Sequence, residues 1–122
     1  MEKINSCTED KQLFNFLNID SILNRLGFNI CSKGYIYYRD LIKNSSEFNL
    51  DEIKLIDLYS LTSKNFNKPE KQIIKNIENL FTRLNLDKFK TNFPAVFKLD
   101  FDYIYTTPKN LLILISNLQK LY

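Results

Sequence analysis

Two glycines and three prolines in 122 residues leave this chain few places to turn. Glycine supplies the positive-φ positions and proline the pre-set φ on which tight turns depend. A sheet-rich fold with many hairpins is therefore disfavoured, and long helices with few connections are favoured. With 44% hydrophobic and 25% charged residues the chain falls among globular rather than disordered sequences, and its length suits one core. The expectation is an all-α fold, a single-domain helical bundle of about five to six helices.

The spacing of apolar residues sets out those helices. A first pattern runs from about Glu9 to Leu26 through Leu13, Phe14, Leu17, Ile22 and Leu23, with Gly27 as its stop. Tyr35–Ile42 carries enough aromatics for a strand, yet Leu41 and Ile42 fall at helical offsets from Tyr37 and Tyr38, so it reads as a helix. Asn49-Leu50-Asp51 opens a third helix, which Ile53, Leu55, Ile56, Leu58, Tyr59 and Leu61 carry to about Asn65. Pro69 reads as the first residue of a fourth, over 69–85, with Glu70 complementing its dipole and Ile73, Ile74, Ile77, Leu80, Phe81 and Leu84 on its apolar side. Two helices joined by about three residues form the helix-turn-helix outline.

Beyond Asn85 the pattern changes. Phe93-Pro94 should break a helix, and Phe97, Leu99, Phe101, Tyr103 and Tyr105 alternate at period two. The stretch 95–106 is read as either a small hairpin wing or an aromatic loop pinned to the core. Thr106-Thr107-Pro108 then opens a last helix through Leu111, Leu112, Ile115, Leu118 and Leu121. It is apolar on more than one side, so it is either buried or supplies a homodimer contact.

Composition narrows the function classes. The chain has no histidine and only Cys7 and Cys31, too few for a zinc site or a disulfide framework. No cofactor is expected. Asp100 and Asp102 lack a partner acid and read as loop or strand-edge charges, while Cys31 reads as a small core or boundary residue. With no nucleophile–base pair and no Gly-rich phosphate loop, an enzyme is not expected. No apolar run approaches signal-peptide or membrane-span length, which makes the cytoplasm the expected compartment and the membrane an unexpected partner. A net charge of +3 permits contact with a polyanion without arguing for it.

The chemistry that remains lies on the helix 69–85. Its polar side carries Lys71, Gln72, Lys75, Asn76, Glu78 and Asn79, candidates for reading base edges, since amides match adenine N6 and N7. Lys64, Lys68, Lys71 and Arg83 are candidates for phosphates. An ordinary solvated face has the same composition. Tyr35, Tyr37 and Tyr38 beside Arg39 have the look of a base-stacking platform, but helical spacing turns several rings inward and core packing is the expectation.

Three blocks add a resemblance: Leu26-Gly27-Phe28 with Lys33-Gly34-Tyr35-Ile36-Tyr37-Tyr38-Arg39-Asp40-Leu41-Ile42; Leu58-Tyr59 with Lys64, Phe66 and Asn67; and Thr106-Thr107-Pro108. In this order and spacing the chain resembles the C-terminal DNA-binding domain of the master sporulation response regulator of endospore-forming bacteria. The resemblance covers 19–122, with 1–18 as an N-terminal extension whose start is loosely ordered, and implies a stand-alone domain without a receiver. It implies double-stranded DNA as partner, the helix after the turn entering the major groove, and a transcriptional regulator acting as a dimer or in tandem. The chain departs from the family where the family's recognition helix presents Glu-Arg and then Arg-His. Ile74-Lys75 and Glu78-Asn79 stand there instead, so the family's sequence preference does not transfer. The alternative is a protein-interaction module, an antagonist or accessory factor that keeps the fold without sequence-specific DNA binding and takes another regulatory protein as partner.

Overall fold

The computed structural model describes residues 19–46 and 54–119. The readings placed on 1–18, on Cys7, on the Asn49–Asp51 opening and on Leu121 lie outside the described residues. Among the described residues every regular element is helical and no strand occurs. A helix over 19–25 (α1) is followed by α2 (Lys33–Ser45), α3 (Leu55–Phe66), α4 (Glu70–Thr82), α5 (Leu86–Phe97), a short 3-10 helix (Tyr103–Thr106) and α6 (Pro108–Gln119). No helix among them is long and apolar enough to cross a membrane.

Local chemistry sets the boundaries. Gly27, at φ 95°, closes α1 in the left-handed conformation: the Phe28 amide donates to the Leu23 carbonyl and the Gly27 amide to that of Asn24, each at 3.1 Å. The Ser32 hydroxyl accepts the Tyr35 amide at 3.2 Å and starts α2. Asn67 ends α3 at φ 52°, one of the few side chains that tolerate this region. Asn85 starts α5 by accepting the Lys88 amide at 3.2 Å. That cap explains why α4 stops at Thr82 instead of continuing to 85 as the apolar spacing suggests: Asn85 serves the next helix. Pro69 likewise sits one residue outside α4, as its N-cap.

α2 lies at the centre and packs against α3, α4 and α6. A helix with neighbours on several sides is apolar on several sides, which is why Tyr35–Ile42 mimics a strand. Tyr35, Tyr37, Tyr38, Leu41 and Ile42 are all buried. Tyr38 meets Phe81 edge-on at 5.0 Å, and its hydroxyl donates to the Pro108 carbonyl at 2.8 Å, tying α2 to the start of α6. α6 buries Leu111, Leu112 and Ile115 against this centre.

The part of the core built by α5 corrects two expectations. Pro94 lies inside α5 and does not break it. Phe89, Phe93 and Phe97, spaced four apart, pack ring on ring, the first pair stacked at 5.5 Å and the second tilted at 4.9 Å, and hold the helix through the proline. Nor is there a wing at 95–106. Of the two readings of that stretch the structure has the aromatic loop: Phe101 and Tyr105 pack on Phe93 at 6.0 and 5.0 Å, while Leu99 and Tyr103 are exposed. Residues 97, 101 and 105 turn inward, a spacing of four concealed within an alternation of two. Asp102, read as a loop or edge charge, caps the 3-10 helix by accepting the Ile104 amide at 3.0 Å. Cys31 is exposed rather than a core residue, because it falls on the turn between α1 and α2.

Burial pushes the Tyr38 phenol well above its ordinary range, and it raises Tyr59 and Tyr35 as well, with the Glu78 charge adding to the first and the Asp20 hydrogen bond to the second. These phenols keep their protons in the native state while the unfolded chain loses them near pH about 10. Above that pH the unfolded chain binds fewer protons, so stability falls as pH rises, by up to about 1.4 kcal/mol per pH unit for each such tyrosine. Urea melts from about pH 9 to about pH 11 should show this decline. Tyr38→Phe should lower stability at neutral pH by about 0.5–1.5 kcal/mol and make the alkaline decline shallower. A decline of unchanged slope would contradict the assignment.

Candidate nucleic-acid interface

α3 and α4 are joined by Asn67, Lys68 and Pro69. The corner is held by side chains of α3: the Ser63 hydroxyl donates to the Lys68 carbonyl, and the Ser60 hydroxyl to the Glu70 carboxylate at 3.3 Å. The Pro69 carbonyl accepts the Gln72 and Ile73 amides at 3.0 and 3.2 Å, which sets the first turn of α4. Inside the corner Leu58, Tyr59, Ile73, Ile77 and Leu80 are buried. Phe66 is half-buried, because it lies at the end of α3 with its ring edge-on to Tyr37 at 5.1 Å.

With Ile73, Ile77 and Leu80 inward and Ile74 and Phe81 packed beside them, the candidate side chains of α4 fall on two stripes. Lys71, Lys75 and Glu78 form an exposed one, opposite the core. Gln72, Asn76, Asn79 and Arg83 form the other, along the flank facing the start of α2, and here Gln72 and Asn76 are half-buried while Asn79 and Arg83 are exposed. Asn79 stands between the stripes. The candidates read from the sequence are thus brought onto one helix, but not onto one face. Ile74 is half-buried against the core, and Lys75, Glu78 and Asn79 are exposed.

The phosphate candidates separate as well. Lys64, Lys68 and Lys71 are exposed around the corner. Arg83 lies twelve residues beyond Lys71, about 18 Å along the helix at 1.5 Å per residue. Glu78 sits near enough to the buried Tyr59 for its charge to help hold that phenol in its neutral form, after burial itself. One negative charge therefore lies within the lysine stripe.

Arg39 faces elsewhere: its guanidinium pairs with Asp20 at 3.2 Å, and the Tyr35 hydroxyl donates to the same carboxylate. With Tyr35, Tyr37 and Tyr38 buried, no stacking platform forms there. Among the described residues no group of three or more metal-ligating side chains occurs.

The flank stripe borders a groove of about 230 Å³ between α4 and the start of α2, lined by Asn29, Lys33, Gly34, Asn76, Asn79 and Arg83 among others. Gly34 permits the close approach of the two helices, since a Cβ there would lie 2.2 Å from the Asn76 carbonyl oxygen. Asn29 and Lys33 are absent from the candidates read off the sequence. The Lys33-Gly34 pair was legible only as scaffold, because nothing in local spacing places it beside residues more than forty positions later.

Comparison with protein-family models, with curated protein sequences and with solved structures returns no match for this chain.

Proposed function

We propose that this chain is a DNA-binding protein, a cytoplasmic transcriptional regulator of the helix-turn-helix type, with α4 in the major groove of double-stranded DNA. The observation that carries the reading is the corner itself. A helix anchored by Ile73, Ile77 and Leu80 follows a three-residue turn and leaves Lys71, Lys75 and Asn79 unburied along its length. A helix of this width fits the major groove, and the sequence resemblance points to the same helix. Lys75 and Asn79 read base edges, Lys71 serves either bases or phosphate, and Lys64 and Lys68 meet phosphates near the turn. Gln72 and Asn76, half-buried on the flank, contribute from the side. No catalytic role is proposed for any residue.

A competing reading has its own support. Glu78 is exposed where phosphates would approach, and Tyr103 and Ile104 are 59% and 53% exposed, a feature of protein-interaction modules. Duplexes selected by the protein from a random pool, titrated beside unselected duplex, separate the two. Lys75→Ala and Asn79→Ala should each lose about 1–3 kcal/mol on the selected site and much less on unselected DNA. Glu78→Gln should strengthen binding to unselected DNA, because it removes a like charge near phosphates. If the parent shows no salt-dependent binding, or all three variants bind as the parent does, the interaction-module reading takes its place.

A further inference from the structure

We infer that the groove between α4 and the start of α2 grips a backbone phosphodiester of the duplex on the side of α4 away from the turn, with Lys33 and Arg83 as its cations. This rests on α4 lying in the major groove. The lining argues for an anionic occupant: it holds two cations and the amides of Asn29, Asn76 and Asn79, and no carboxylate. Carboxamides donate hydrogen bonds to phosphate oxygens, and Lys and Arg neutralise their charge.

Position argues for the DNA backbone rather than a base. Successive helical residues are turned by about 100°, so Asn76 points well away from the outward face that carries Lys75. Asn79 joins the groove to that face. A strand whose bases meet Lys75 and Asn79 runs its phosphates along the flank where Asn76 and Arg83 lie. Lys33 comes from a different element, and the approach that Gly34 permits brings it to the same rim. The lysines of the turn and the Lys33–Arg83 pair then hold α4 at its two ends. This clamp is independent of which bases are read.

Lys33→Ala and Arg83→Ala test this, with Lys109→Ala as a control that removes the same charge outside the groove. Each of the three residues is exposed, and thermal melts should match the parent. The affinity for random-sequence duplex DNA is measured by fluorescence polarisation from about 50 to about 200 mM salt. Lys33→Ala and Arg83→Ala should each weaken binding and reduce the slope of log affinity against log salt by about one unit, and the double variant by about two. Lys109→Ala should keep the parent's slope. Inorganic phosphate, added at constant ionic strength, should leave DNA binding unchanged. If the parent binds DNA but the two groove variants keep its slope, the groove inference is overturned and the functional reading stands. If inorganic phosphate saturates the protein and competes with DNA, and the groove variants abolish that competition, the groove is a small-anion site and not a backbone clamp. If the parent itself shows no salt-dependent binding, both readings fall together.

Discussion

Replacing Phe93 with alanine should cost about 3–5 kcal/mol of folding stability, a large part of what a domain of this size has. The side chain is fully buried and lies at the crossing of two sets of rings. Along α5 it packs between Phe89 and Phe97; across the loop it meets Phe101 and Tyr105. Removing it opens a cavity and also withdraws the packing that keeps a proline-containing helix intact, since Pro94 offers no amide to the turn before it. The loss should be seen in urea melts, and amide exchange should quicken through 98–106, which is pinned mainly by those rings. A cost below about 1.5 kcal/mol would show that the loop repacks around the gap and that α5 stands without its aromatic ladder.

The same cluster shows where a one-dimensional reading stops. The corner of α3 and α4 was legible because each helix carries its own signal: a 3.6-residue apolar repeat, a turn around Asn67 and a proline beside the first turn. The buried tyrosines of α2 were legible for a similar reason, once Leu41 and Ile42 were set at helical offsets from them. Pro94 does not end α5, because the local rule that proline ends helices is outweighed by the packing of Phe93 against Phe101 and Tyr105, residues outside the helix. α4 ends short of its apolar repeat because Asn85 has two possible duties, prolonging one helix or capping the next, and only the Lys88 amide decides between them.

The candidate site divides along the same line. Its residues on α4 follow from periodicity, and so does the separation of Lys75 from Asn76, which a helical projection contains. The groove does not, because Lys33 and Asn76 become neighbours only when Gly34 lets two backbones meet. A glycine early in a helix, at a position that needs no positive φ, costs roughly 1 kcal/mol relative to alanine. Such a residue signals close approach, although it does not name the residue approached.

Ile77→Ala provides the test that separates the phase of α4 from its function. Ile77 is fully buried midway along the helix, one turn from Ile73 and three residues from Leu80. Removing three carbons there forfeits their transfer free energy and leaves a cavity that α2 and α3, both packed on α4, close only in part. The expected loss is about 2–4 kcal/mol, read from the urea midpoint with the slope of the transition unchanged. A loss below half of that would mean that the face is not closed and the helix is rotated from its assigned phase. The variant keeps the polar side of α4, since Lys75, Glu78 and Asn79 point away from the deleted methyls. Well below its lowered melting temperature it should therefore bind duplex DNA with the parent's salt slope, as the Lys33 and Arg83 variants should not. A variant that is destabilised by the expected amount and also loses DNA binding in the cold would indicate that α4 needs a rigid core contact at Ile77 to hold its pose, and would move part of the binding energy from the exposed side chains to the packing beneath them.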